Sequence, residues 1–243
     1  MHTEFVSYVD GGVECEGYLA APIGLDAPTP VVLVCHAWAG QDDFARERAE
    51  ELSELGYIGF ALDVYGKGRR GTSPEENGRL MTPFVEDRAM LRRRLLAAVN
   101  TVKHLPMADG HRIGAIGFCF GGLCALDIAR AAPAGVRGVV AFHGLFTPPP
   151  ADQVGPQGKI TAGVLALHGY DDPMCPPDAV VGLASELTKA GADWEIDMFG
   201  HTSHAFTNPV ANDPGRGLMY KKRTSDRAFA KMRTFFGELL PMG

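Results

Sequence analysis

The chain has 243 residues, 46% of them hydrophobic, and a formal net charge of −6. That length suits one large α/β unit with an ample core, so a single domain over residues 1–243 is expected. The negative balance argues against a nucleic-acid surface, and no apolar run approaches the roughly 18 residues that would span a membrane.

The start, Met1-His2-Thr3-Glu4-Phe5, lacks the basic-then-apolar order of a secretory signal. The five cysteines therefore read as reduced thiols of a cytoplasmic protein rather than a disulfide set. No Cys-x-x-Cys pair or compact Cys/His spacing suggests structural zinc. Glu4–Val9 and Glu14–Ala20 flank Asp10-Gly11-Gly12 and predict an antiparallel hairpin at a sheet edge. Val31–Cys35 is uniformly apolar, as in a strand buried on both faces, and breaks at His36-Ala37-Trp38-Ala39-Gly40. Asp42 or Asp43 then caps a helix carrying Ala45, Ala49, Leu52 and Leu55 on one face, with Gly56 as its stop.

Tyr57–Leu62 reads as the next buried strand, and residues 63–83, rich in Gly, Arg and Pro, as a long loop over the sheet's end. A helix is expected from about Val85 to Leu105, with the run Arg92-Arg93-Arg94 on its solvated side. Val136–Phe142, Ala162–Leu167 and Trp194–Phe199 continue the strands, and a helix begins at Pro177. The Pro/Gly-rich stretch between His143 and Ile160 is too short for a separate lid domain. A closing helix carries Ala228, Met232, Phe235 and Leu239. This alternation predicts an α/β fold with a mostly parallel, doubly wound sheet and ligands at the carboxyl ends of its strands.

The stretch Ile113-Gly114-Ala115-Ile116-Gly117-Phe118-Cys119-Phe120-Gly121-Gly122 is a strand that turns sharply into a helix. Glycines two positions either side of Cys119 are the mark of a nucleophile elbow, in which the central residue is strained and lifted above the sheet. An acid, Asp171 or Asp172, follows the next-but-one strand, and a histidine, His201 or His204, follows the last strand. That is the nucleophile, acid, histidine order of the α/β-hydrolases.

Over nearly its whole length the chain resembles the dienelactone hydrolase family, most closely at Gly117-Phe118-Cys119-Phe120-Gly121-Gly122, Phe142-His143-Gly144 and His204-Ala205-Phe206-Thr207-Asn208-Pro209. The resemblance implies an α/β-hydrolase fold without a cap domain and a Cys119–His204–Asp172 triad that opens small lactones or cleaves esters through an acyl-enzyme. It implies neither metal nor organic cofactor. The expected partner is a small-molecule ester or lactone substrate, with the chain as monomer or small homo-oligomer. Asp172 is favoured over Asp171 because it stands three residues before Cys175-Pro176, the family's spacing, and His204 over His201 because it opens a His-x-Phe motif. The backbone amides of Phe120 and Trp38 are expected to form the oxyanion hole, each worth on the order of a hundredfold to a thousandfold in turnover. Trp38, Arg79, His143 and Asn208 are expected substrate contacts. His36, His143 and His168 end strands and are expected to shape the pocket or satisfy backbone groups rather than carry protons.

Two positions depart from the family. Ala37 replaces a glutamate that holds the resting thiol, and Asn208 stands where some members place a substrate-carboxylate arginine. Cys119 is therefore expected to hand its proton to His204, and neutral esters to be preferred over acidic dienelactones. The competing expectation is a ligand-binding or thiol redox-sensing protein that keeps the fold and an accessible Cys119 without turnover.

Overall fold

In the computed structural model, which describes residues 1–242, β1 (His2–Asp10), β2 (Val13–Ala21), β3 (Thr29–Cys35), β4 (Ile58–Ala61), β5 (Ala108–Phe118), β6 (Val136–Phe142), β7 (Gly163–Gly169) and β8 (Trp194–Phe199) form one sheet. Their order is β1-β2-β4-β3-β5-β6-β7-β8. The β1–β2 hairpin is antiparallel and β2 pairs antiparallel with β4. From β4 through β3 to β8 every pairing is parallel. The expected strands all appear, and the hairpin lies at the edge.

Alternation along each central strand divides the core into two layers. Val31, Leu33, Cys35, Ala115, Val139, Ala141 and Ala166 face α3 (Arg88–Val102), α4 (Phe120–Ala131) and α6 (Pro177–Lys189). Val32, Val34, Ile116, Phe118, Val140, Phe142 and Leu165 face α1 (Asp43–Glu54) and α7 (Lys222–Leu239). Alanines on the first face let α4 lie close to the sheet, and every residue of α4 from Phe120 to Arg130 is buried. Each fully buried leucine there, such as Leu123 or Leu126, contributes about 1.5–3 kcal/mol.

Residues 63–83, expected as a loop, run into a helix. α2 spans Pro74–Glu86, and its start carries signals that composition alone hides. Ser73 Oγ accepts from the Glu76 amide, Glu76 Oε2 reaches back to the Thr72 amide, and Pro74 opens the first turn. The following helix begins at Arg88 rather than Val85, with the Asp87 carboxylate accepting from the Met90 amide at 2.8 Å.

The arginine run is only partly a solvated face: Arg93 is exposed, whereas Arg92 is half-buried and Arg94 enters the core. Arg94 is buried, donating to Asp10 at 2.9 Å and to the Val64 carbonyl at 2.7 Å, and Arg93 takes the other Asp10 oxygen. Arg92 donates to the Val154 carbonyl, on the short helix α5 (Ala151–Val154). The 3.6-residue period puts these side chains away from the helix's main apolar stripe, but β1 covers Arg94 and the segment after β6 reaches Arg92.

Between Phe206 and α7, a two-strand hairpin of β9 (Asn212–Asp213) and β10 (Leu218–Met219) crosses the sheet's carboxyl end. No element was expected there. The segment Asp213-Pro214-Gly215-Arg216-Gly217 carries the turn signal that marks it, with Gly217 left-handed at φ +68°.

Candidate active site

Cys119 follows β5 directly and is the N-cap of α4, held at φ 57°, ψ −117°. A non-glycine residue in this region costs on the order of 1–3 kcal/mol, so the surroundings must enforce it. They do so by close backbone approach. A Cβ on Gly117 would lie 1.8 Å from the Gly121 carbonyl oxygen, and one on Gly121 would lie 2.0 Å from the Cys35 carbonyl oxygen. Strand, turn and helix fit only with glycine at both places.

Asp172 and His204 come from the loops after β7 and β8, which are stitched together. The Asp171 amide donates to the Thr202 carbonyl at 3.0 Å, and a Cβ on Gly169 would meet that carbonyl oxygen at 2.3 Å. Asp172 is buried, with Oδ1 accepting from the Met174 amide at 2.9 Å and Oδ2 accepting from His204 Nδ1 at 2.7 Å. Asp171 is exposed. His204 is buried and its Nε2 has no hydrogen-bond partner among the described residues. Burial pulls its proton affinity down, but the Cys119 charge and the Asp172 carboxylate more than offset this and push the imidazole up to about 10.

Cys119, His204, Trp38 and Asn208 line one cavity of about 530 Å³ with Ala37, Phe44, Met81, Phe118, Leu145, Met174, Val210 and Leu218. The Trp38 amide, on the loop leaving β3, donates no hydrogen bond to another described residue. The Phe120 amide is the first of α4, where helix geometry supplies no acceptor. Two of the expected amide donors are thus uncommitted. Ala37 puts no carboxylate beside the thiol, and Asp42, also in the wall, spends Oδ1 on the Ala45 amide.

His143 lines the same cavity, yet both ring nitrogens are used. Nδ1 accepts from the Cys119 amide at 3.2 Å and Nε2 bonds Thr207 Oγ1 at 2.8 Å. Burial pushes it well below the ordinary histidine range, so it is a neutral brace set 5.0 Å, ring to ring, from His204. His36 accepts from the Val64 amide at 3.1 Å on Nε2, and His201 is exposed on its loop. Asn208 stands in the wall with Oδ1 accepting from the Val210 amide.

Arg79 does not join the site. It projects from α2, 68% exposed, with Glu75 at 3.7 Å, and is not among the cavity's lining residues. The cation that does line the cavity is Arg216, on the β9–β10 turn, donating to Asp213 at 2.7 Å. Sequence reasoning missed it because the hairpin was not foreseen. A second recess of about 650 Å³ between α1 and α7 holds none of the reactive residues. Among the described residues, no group of three or more His, Cys, Asp or Glu side chains is placed to hold a metal ion, and no helix is long and apolar enough to cross a membrane.

The sequence model of the Dienelactone hydrolase family matches residues 15–240. A carboxymethylenebutenolidase-like relative from Aquifex aeolicus is 30% identical over 214 residues, covering 86% of this chain and 89% of its own length. The solved structure titled m3DLH is 34% identical with a TM-score of 0.91, each chain covered to 98%. A dienelactone hydrolase-like promiscuous phosphotriesterase from metagenomic libraries is 33% identical with a TM-score of 0.90, again over 98% of both chains.

Proposed function

Because the chain belongs to the dienelactone hydrolase family, whose members are hydrolases, we propose that it cleaves small carboxylic esters or lactones with Cys119 as nucleophile, His204 as proton carrier and Asp172 as the acid that orients His204. The observation that carries this reading is the strained Cys119 turn facing a histidine whose Nδ1 is fixed on a buried carboxylate at 2.7 Å and whose Nε2 is otherwise unengaged.

The chemistry runs from the thiolate–imidazolium pair. Cys119 Sγ attacks the substrate carbonyl carbon, and the carbonyl π electrons move onto oxygen. The Trp38 and Phe120 amides, with the amino end of α4 behind them, receive that oxyanion. When the intermediate collapses, the carbon–oxygen bond to the leaving alkoxide breaks and His204 Nε2 delivers its proton to that oxygen. The resulting thioester is cleaved by water. Neutral Nε2 takes a proton from the water, the hydroxide adds to the carbonyl, and the second collapse returns the thiolate and the free carboxylic acid. In a lactone the leaving oxygen stays tethered to the acyl group.

Substrate size and polarity follow from the cavity. About 530 Å³ walled by Trp38, Phe44, Phe118, Leu145 and Leu218 suits a compact, mainly apolar acyl or alkoxy group. The likeness to a promiscuous phosphotriesterase adds neutral phosphotriesters as a second substrate class to assay. The decisive experiment offers p-nitrophenyl butyrate and a neutral lactone to the protein and to Cys119→Ala, with intact-mass detection of an acyl adduct after rapid quenching. The expected result is turnover by the native protein only, with an adduct mapping to Cys119. Retained turnover in Cys119→Ala would remove the nucleophile and the mechanism with it.

A further inference from the structure

His168, at the end of β7, is fully buried, yet only one of its ring nitrogens has a partner. Nε2 donates to the Cys175 carbonyl at 2.7 Å. That requires the proton on Nε2 and leaves Nδ1 as a bare acceptor, for which no donor is present among the described residues. Asp172 Oδ2, the same oxygen that holds His204, lies 4.0 Å from Nδ1. A lone pair buried beside a carboxylate oxygen is an unfavourable arrangement, and a protein that keeps it has an open place for a proton.

We propose that His168 is a positioning residue with two states: neutral, it pins the Cys175 carbonyl so that Asp172 serves His204 alone; protonated on Nδ1, it draws Asp172 Oδ2 towards itself and weakens the hold on His204. The proposal rests on the reading of His204 and Asp172 given above. The proton comes from solvent and bonds to the Nδ1 lone pair, with no other bond made or broken. The imidazolium then places a second positive ring beside His204, so the Asp172 charge is divided between two claimants.

The groups facing His168 decide the sign. From its own loop come Asp172, which favours the cation, and the Cys175 carbonyl, which accepts from Nε2 in either state. From the loop after β8 comes protonated His204, which disfavours a further positive charge, and from the end of β6 comes His143, which is neutral. The Phe146 ring, 4.9 Å away centroid to centroid, adds no charge. Burial dominates and pushes His168 below the ordinary histidine range, so the neutral state holds at neutral pH and the second state belongs to the acid side. His204, pushed up to about 10, keeps its proton throughout that interval.

The test joins a spectrum to a pH profile. In the native protein with 15N-labelled histidine, His168 Nδ1 is expected to gain its proton over the same interval in which kcat falls, while the His204 Nδ1–H resonance shifts as its bond to Asp172 loosens. His168→Gln keeps a donor for the Cys175 carbonyl and cannot become a cation. Its acid limb in kcat is expected to move down by about one pH unit or more, with KM and the alkaline limb unchanged. An Nδ1 that stays bare across the acid limb would overturn the proposal. So would a His168→Gln profile lowered equally at every pH, as a merely structural role would give. If that variant does not fold, the native spectrum decides alone, and it does so even if the nucleophile assignment fails.

Discussion

Asp171 and Asp172 are neighbours in the chain and opposites in environment. The Asp172 side chain is enclosed and bonded at both oxygens, whereas Asp171 is exposed and tied in only through its backbone amide. Asp172→Asn is expected to lower kcat by about two to four orders of magnitude, because a carboxamide cannot hold His204 in the required tautomer, while Asp171→Asn stays within about twofold. Comparable effects from the two variants would undo the assignment. The same variant reports on titration. His204 gains proton affinity on folding, so its stabilising contribution is complete below about 6.5 and is lost as pH rises through about 10. In Asp172→Asn that alkaline loss should begin at lower pH, read directly from the imidazole nitrogen resonances. The sequence led to Cys119, Asp172 and His204 because motif spacing is a local property. It could not separate Arg79 from Arg216, since which arginine reaches the cavity depends on the hairpin after His204 rather than on either residue's neighbours.

At the scale of elements, strands were legible because burial on both faces forces long apolar runs such as Val31–Cys35. Helices were legible at α4, less so at α2, which lies where a loop was expected, and on α3, whose Arg94 enters the core. α4 carries Asp127 and Arg130 on buried positions, and both meet Arg88 of α3 or Glu186 of α6. Arg88 and Asp127 form a two-pronged pair at 2.8 and 2.6 Å, while Arg130 also donates to the Phe146 carbonyl at 2.9 Å. This cluster fastens the helix behind Cys119 to its neighbours and to the loop after β6. Removing one member leaves the buried charges of the others unpaired. Asp127→Ala should cost about 3–5 kcal/mol of stability, measured by urea unfolding, whereas an exposed pair such as Lys222–Asp226 should cost under about 1 kcal/mol when broken. Similar small losses for both would show that the buried cluster is wet.

The whole molecule sets a rigid sheet and two stitched loops against a cavity wall made partly by the β9–β10 hairpin. Asn212, Asp213, Arg216 and Leu218 from that hairpin line the cavity, and Asp213 occupies the guanidinium of Arg216. Neutral esters are therefore expected to be better substrates than carboxylate-bearing lactones. Asp213→Asn should raise kcat/KM for the carboxylate lactone about fivefold, roughly 1 kcal/mol, with the neutral ester unchanged. A gain for both substrates, or for neither, would remove Arg216 from substrate selection.

The hairpin is joined to the loops that carry Asp172 and His204 by a main-chain hydrogen bond and one shape constraint. The Met219 amide donates to the His204 carbonyl at 3.1 Å, and Gly217 lies so near Pro173 that a Cβ would meet its ring at 2.5 Å. Neither attachment depends on which side chains the hairpin turns towards the cavity. Apart from Gly217, substitutions at the cavity-facing positions of this wall are expected to leave the proposed Cys119–His204–Asp172 arrangement in place. For a laboratory seeking new substrates, residues 212–216 and 218 are thus the inexpensive place to diversify, and for a lineage under changing selection they are where inherited chemistry can acquire a new diet.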